Sequence, residues 1–403
     1  MDKLKDILDK QLESRPKEVF FCKSCVLSNQ RPRLTFNKDG ICTACQFANE
    51  KKHVIDWADR EKQLKKLCDN HRKTNGKYDV IVPASGGKDS ASVAHKLKHM
   101  YGMHPLTVTW SPFMYTEIGW QNFQNFIKSG FPNIFGSPNG HLHRKLARIG
   151  LEAAGDPFLP FIYGQMSFAF HIAMKFDIKL IFFGENGEAE YGGSTKNNYR
   201  PFMPIEDWAD LYFKGATVDD LIDWGLENNI LKPDDFDESD LMFYRPPQDD
   251  ELTGKGIQMH WFSYYQKWVP QENYYYSAEH TGFQANPEGR SEGTYSKYAS
   301  LDDRLDGLHY WLGFIKFGIG RATSDAAHEI RDDHITREEA VALVHRYDGE
   351  FPEKHFKESL EYLDISEEKF FDIVEKYRVA SPDIWEKVNS NWKLKHQVQN
   401  NLE

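Results

Sequence analysis

KYDVIVPASGGKDSASVAHKL, residues 77–97, changes character twice within a short span. Residues 78–82 are an apolar, β-branched run that reads as a buried strand, ended by Pro83 and two glycines. Residues 90–98 place Ala and Val on one side and Lys on the other, the pattern of a helix. Between them stands Ser85-Gly86-Gly87-Lys88-Asp89-Ser90. A strand, a glycine turn and a helix start form an anion site, because backbone N–H groups point outward and glycine lets phosphate oxygens approach closely. The spacing differs from the GxxxxGK[ST] loop of kinases and GTPases.

Outward from this loop, strands and helices alternate. Residues 104–110 and 133–136 read as strands, 117–128 and 141–154 as helices, 163–176 as a long apolar helix, and 179–183 as another buried strand. Apolar strands separated by helices imply an α/β fold with a doubly wound parallel sheet. Ligands in such sheets bind beyond the carboxyl ends of the strands. That rule gathers Ser85–Ser90, the pair Thr109 and Trp110, and the segment after Phe183 around one crevice. The last is GENGEAEYGG, residues 184–193, where Gly184 leads into Glu185, Glu188 and Glu190. Carboxylates in a glycine-rich loop suit Mg2+ or the orientation of a nucleophile.

Residues 195–300 are aromatic and acidic, with a further short strand expected at 259–261. Trp268 and Tyr274, Tyr275 and Tyr276 would either line a sugar or base pocket or simply pack. From about residue 305 the chain reads as helical, with Thr336 and Glu339 forming a capping box. Within it KFGIGRATSDAAHEIRDD, residues 316–333, sets Lys316, Arg321 and Arg331 around a Gly-Ile-Gly turn, cations suited to phosphate.

Four of the five cysteines fall in FCKSCVLSNQRPRLTFNKDGICTAC. Cys22, Cys25, Cys42 and Cys45 form C-x2-C-x16-C-x2-C, the spacing of a closed tetrathiolate Zn2+ site with a structural role. The remaining Cys68 lies in a polar helical segment. The 403 residues carry 50 Lys and Arg against 61 Asp and Glu, a balance of -11 that argues against a broad nucleic-acid-binding face. No apolar run approaches membrane-helix length, and the first residues lack a signal-peptide core, so a cytoplasmic protein without membrane insertion is expected. Three units follow: a zinc-binding module over 1–52, an α/β domain over 53–300 with an insertion at about 195–260, and a helical region over 301–403 that lends Lys and Arg to the site.

The loop resembles the SGGxDS loop of the PP-loop ATP pyrophosphatases, and GENGEAEYGG resembles, loosely and with one extra residue, the acidic loop of asparagine synthetases. The full combination of C-x2-C…C-x2-C, SGGKDS, GENGEAEYGG and KFGIGRATSDAAHEIR resembles the N-acetyl sugar amidotransferases. That resemblance implies ATP-dependent conversion of a sugar acetamido group, on an acceptor expected to be nucleotide-linked, to an acetamidino group. Adenylation of the amide oxygen would be followed by attack of ammonia, releasing AMP and pyrophosphate. It implies ATP on Ser85, Gly86, Gly87, Lys88, Asp89, Ser90, Thr109, Trp110 and Gly184, with Mg2+ near Asp89. Lys88, Lys316 and Arg321 would neutralise phosphate charge, and Glu185 would orient or deprotonate the amine. Ammonia would come from a separate glutaminase of histidine-biosynthesis type. The rival reading is a tRNA-thiolating PP-loop enzyme, whose chemistry needs further cysteines in the catalytic domain; only Cys68 is available. A zinc-ribbon scaffold with a vestigial nucleotide fold is the non-enzymatic alternative.

Overall fold

The computed structural model describes residues 7–202 and 204–400. Five parallel strands form its sheet: β1 (Val80–Pro83), β2 (Pro105–Trp110), β3 (Asn133–Gly136), β4 (Leu180–Phe183) and β5 (Gln258–Trp261), in the order β3-β2-β1-β4-β5. Both faces are covered, which explains the unbroken apolar runs. Ile81 and Ile181 point into one core with Leu146, Leu159 and Tyr163, while Val80, Val82, Leu180 and Phe182 point into another with Ala91, Val93 and Leu97. Chain order reverses between β1 and β4, so the loops after those two strands splay apart and leave a crevice.

The helices run in sequence order. α1 (Thr43–His53) and α2 (Trp57–His71) precede the sheet; α3 (Lys88–His99) follows β1, and α4 (Glu117–Lys128) follows β2. α5 (Gly140–Ala154) and α6 (Leu159–Phe176) connect β3 to β4. α7 (Gly187–Tyr191), α8 (Trp208–Leu211), α9 (Val218–Glu227), α10 (Glu238–Leu241) and α11 (Asp249–Lys255) lie between β4 and β5. α12 (Phe262–Tyr265) and α13 (Pro270–Thr281) follow, then α14 (Asp306–Phe317), α15 (Arg321–Arg331), α16 (Arg337–Tyr347), α17 (Phe356–Leu363) and α18 (Glu367–Val379).

β1 is displaced from the expected 78–82 because Asp79 turns its carboxylate onto the His104 and Lys73 backbone amides at 2.7 and 3.1 Å. α3 starts two residues before the expected 90, since Gly87 serves as its N-cap. The residues of the expected insertion are part of the main core: Trp208, Leu221, Leu241, Tyr244 and Leu252 pack in the cluster that holds Leu146 and Tyr163. The C-terminal region is not wholly helical. β6 (Trp385–Val388) and β7 (Asn391–Leu394) form an antiparallel hairpin, turned by Asn389 and Ser390 at φ of 48° and 69°. The short polar side chains that tolerate the left-handed region are the signal the helical reading overlooked.

The cysteine module docks on the C-terminal helices. Cys22, Cys25, Cys42 and Cys45 share a core with Ala326, Ala327 and Val341 of α15 and α16. Leu308, Leu312 and Ile315 of α14 pack with Ala147 and Leu151 of α5 and with Leu12. The three sequence units therefore meet through shared apolar surfaces. No helix among the described residues is long and apolar enough to cross a membrane.

Candidate active site

A cavity of about 820 Å³ opens at the crevice between β1 and β4. Ser85, Gly86, Gly87, Lys88, Asp89, Ser90, Thr109, Trp110, Gly184, Glu185, Lys316 and Arg321 all border it.

The loop after β1 is shaped by glycine. Gly86 has φ of 89°, and a Cβ there would lie 2.6 Å from the Phe123 Cα, so both the turn and its packing exclude any side chain. Gly87 caps α3 with no side-chain acceptor, which leaves the first helical N–H groups facing the cavity. α13 fixes the helix from behind. Ser277 Oγ donates to the Lys88 carbonyl at 2.6 Å, and Asn273 Nδ2 donates to Asp89 Oδ1 at 3.0 Å. Lys88 is 5% exposed, its ammonium on the Asp89 carboxylate and 5.7 Å from the Tyr298 ring centroid.

The acidic loop after β4 divides its three carboxylates. Glu188 receives Arg33 at 2.5 and 3.0 Å and the Ser194 amide at 2.6 Å. Glu190 pairs with Lys51 at 2.5 Å in a buried position. Both join α7 to the cysteine module, which leaves Glu185 as the loop's carboxylate beside the glycine loop. Its only side-chain hydrogen-bond partner among the described residues is Tyr191, whose hydroxyl donates at 3.4 Å. Burial and the Asp89 charge push the Glu185 carboxyl up to about 7, against the opposing pull of Lys88.

The C-terminal region supplies the facing wall. Arg321, 6% exposed, donates to the Ala299 carbonyl and lies 4.6 Å from the Tyr310 ring centroid. Asp325, one turn along α15, accepts from Thr294 Oγ1 at 2.5 Å, and burial raises its carboxyl above the usual range despite Arg321 and Lys88. Lys316 departs from its expected role. Its ammonium donates to Asp9 at 2.7 Å and to the Ala154 carbonyl at 2.8 Å, so its charge is satisfied within the scaffold. Arg331 lies away from the cavity and donates to the Glu190 carbonyl at 2.8 Å.

Thr109 and Trp110 form the floor. Thr109 Oγ1 donates to the Ala84 carbonyl at 2.6 Å, and the Trp110 indole N–H is buried with no acceptor among the described residues. The tyrosines of α13 do not line the cavity: Tyr274 stacks on Tyr298 at 4.7 Å, Tyr276 holds His95 at 2.8 Å, and Tyr275 is exposed. Tyr298, Asp302, Asp325, His309 and the arginines 31 and 33 border the cavity without having been singled out as site residues. For Arg31 and Arg33 the signal was the RPR run between the cysteine pairs. Asp325 lay inside the quoted C-terminal motif, where it reads as a plain helix residue.

The four cysteine sulfurs lie within 4.8 Å of one another, with Cys22 to Cys45 at 4.0 Å and Cys25 to Cys42 at 3.7 Å. Four thiolates about 2.3 Å from one Zn2+ would be about 3.8 Å apart. The Ser24, Cys25 and Cys42 amides point at Cys22 Sγ from 3.3 to 3.5 Å, as charge-assisted donors to a thiolate do. The cluster could hold a zinc ion, and its burial leaves a structural role.

An α/β domain with a glycine turn at its strand-order reversal is thus joined to a C-terminal wall that carries Arg321 and Asp325. Residues 292–399, which hold Tyr298, His309, Arg321 and Asp325, match a family described as LPS biosynthesis protein WbpG-like, C-terminal domain. No curated protein matches the chain.

Proposed function

We propose that the protein is an ATP-dependent N-acetyl sugar amidotransferase of PP-loop type, acting in surface-polysaccharide biosynthesis. The observation that carries this reading is the convergence of the glycine loop, Glu185 and Arg321 on one cavity, although they lie far apart in sequence. An amide oxygen is a poor leaving group, and transfer of AMP to it makes a good one. That chemistry needs a firm pyrophosphate cradle, neutralisation at the α-phosphate and exclusion of water.

The uncapped N-terminus of α3, the Gly86 and Gly87 amides and Lys88 would hold pyrophosphate. Asp89 would hold Mg2+ together with phosphate oxygens, the ion supplying charge neutralisation when bound. Arg321 would face the α-phosphate in place of Lys316, whose charge Asp9 already satisfies. The floor at Thr109 and Trp110 would take adenine, and Glu185 would orient the amine.

Two alternatives lose support from Cys68. It is fully buried among Leu64, Val80 and Leu97, and burial pushes its thiol up to about 12. It can serve neither as a persulfide carrier for thiolation nor as a glutaminase nucleophile. Ammonia from a separate glutaminase fits better. The test is mass spectrometry of acetamido nucleotide sugars incubated with the protein, ATP, Mg2+ and ammonium. The expected product has lost oxygen and gained NH, with AMP and pyrophosphate formed in step. Formation of ADP, or incorporation of sulfur into tRNA, would overturn the proposal.

A further inference from the structure

α14 turns one face to the cavity, and His309 stands on it beside Tyr310 and Gly313. His309 Nδ1 lies 2.8 Å from Oδ1 of Asp156. Asp156 is 1% exposed and multiply held: Oδ1 also accepts the Phe158 amide at 2.9 Å, and Oδ2 pairs with Lys214. Burial opposes its ionisation, yet the His309 hydrogen bond and the charges of Lys214 and Lys316 keep the carboxyl well below its usual range. A carboxylate that can only accept fixes the tautomer of the ring: Nδ1 carries the proton, and Nε2 carries the lone pair. The ring is held further by Phe158 and Tyr310, with centroids at 4.9 and 5.1 Å. Nε2 has no protein partner among the described residues, and the side chain is 26% exposed at the cavity wall.

This is a histidine oriented by a buried aspartate and open to a ligand, the arrangement of a general base. The adjacent Tyr310 carries the Arg321 guanidinium over its ring. The dyad therefore shares a wall with the cation assigned to the α-phosphate. Glu185 is placed differently, beside Asp89 and Lys88, where cations at the pyrophosphate would hold it as a carboxylate.

We propose that His309, positioned by Asp156, accepts the proton shed by the attacking nitrogen; this rests on the amidotransferase reading. The lone pair of ammonia forms the new C–N bond, and the C–O pair leaves with AMP. One proton passes from the nitrogen to His309 Nε2, giving an imidazolium beside the Asp156 carboxylate and an amidinium product. Asp156 and His309 are separated by most of the α/β domain in sequence, so no local motif announces them.

The experiment uses His309→Asn, whose amide can still donate to Asp156, and compares ammonium with hydroxylamine as nucleophile. The adduct nitrogen from hydroxylamine is far more acidic and sheds its proton to water unaided. Turnover with ammonium should fall about 100-fold or more, within the usual span for loss of a general base. Turnover with hydroxylamine should change little, and acceptor-dependent exchange of pyrophosphate into ATP should continue, which also shows that the variant is folded. His309→Gln should behave in the same way. Equal losses with both nucleophiles, or no loss with either, would overturn the role of His309. Absence of acceptor-dependent exchange in the native protein would instead overturn the amidotransferase reading itself.

Discussion

Two charged regions border the same cavity and differ in how their charges are spent. At one end Asp9, Lys316, Asp156 and Lys214 close on each other, and every ionised atom has a fixed partner inside the scaffold. At the other, Lys88, Asp89, Glu185, Arg321 and Asp325 surround open space; among the described residues Glu185 has one weak hydroxyl donor, and burial raises the Asp325 carboxyl above its usual range. Lys316 and Lys88 are both nearly inaccessible, at 2% and 5% exposed, so burial alone does not distinguish them. Partnership does. A buried charge with its bonds complete holds elements together, whereas a buried charge facing a void is stabilised fully only when a ligand arrives.

The cysteine pairs give the strongest means of breaking this contrast, because they pack on α15 and their module reaches α7, two helices that border the open end. Zinc-dependent folding in small modules is worth on the order of 10 kcal/mol. Cys42→Ser, or prolonged chelation, should lower stability by about 5 kcal/mol or more, read as a fall in the denaturation midpoint. Elemental analysis of protein purified without chelator should show one zinc per chain. Absence of zinc would remove the module from the argument altogether.

Lys316→Met comes next. It keeps the volume of the side chain but strands the Asp9 carboxylate in a dry site. Breaking a buried pair from one side costs about 3–5 kcal/mol. Urea denaturation should show that loss, while ATP affinity in protein that remains folded should be unchanged. Lys88→Ala should do the reverse. Removing a charge-assisted contact to phosphate should weaken ATP binding by about 1.5–3 kcal/mol, with the denaturation midpoint nearly unmoved. If Lys316→Met weakened ATP binding as much as Lys88→Ala, the two ends would not be distinct.

The open end was far more legible in the sequence than the closed one, for a physical reason. The expected phosphate cradle is local: strand, glycine turn and helix start are contiguous, and Gly86 is required by its own backbone angle. The cysteine pairs are likewise short-range. The closed end is assembled from residues 9, 156, 214, 309 and 316, each unremarkable in its own segment and meaningful only once α14 lies across α5. The same distance hid the split among Glu185, Glu188 and Glu190. Their spacing in one loop suggested a common role, but Arg33 and Lys51, which claim two of them, come from the cysteine module. The hairpin at Trp385–Leu394 was missed at shorter range, where Asn389-Ser390 was a readable turn signal set against a helical neighbourhood.

The smallest expected effect concerns pH and tests whether the open end stores instability before a ligand binds. The Glu185 carboxyl is raised to about 7 in the folded protein, chiefly by burial and then by Asp89, with Lys88 opposing. In the unfolded chain it returns to the ordinary glutamate range, near 4.3. Between those values the folded form holds a proton that the unfolded form has released. The stabilisation linked to this group is therefore complete below about pH 4 and is lost as pH rises through about 7. Glu185→Gln is neutral throughout and escapes the loss. In urea titrations without nucleotide, the variant should gain on the native protein by about 2 kcal/mol between roughly pH 5 and pH 8. Glu188, whose carboxylate is closed by Arg33 and the Ser194 amide, should differ: Glu188→Gln breaks those contacts and should cost stability. A stability difference for Glu185→Gln that stays flat across this range would place Glu185 among the satisfied charges and erase the distinction between the two ends.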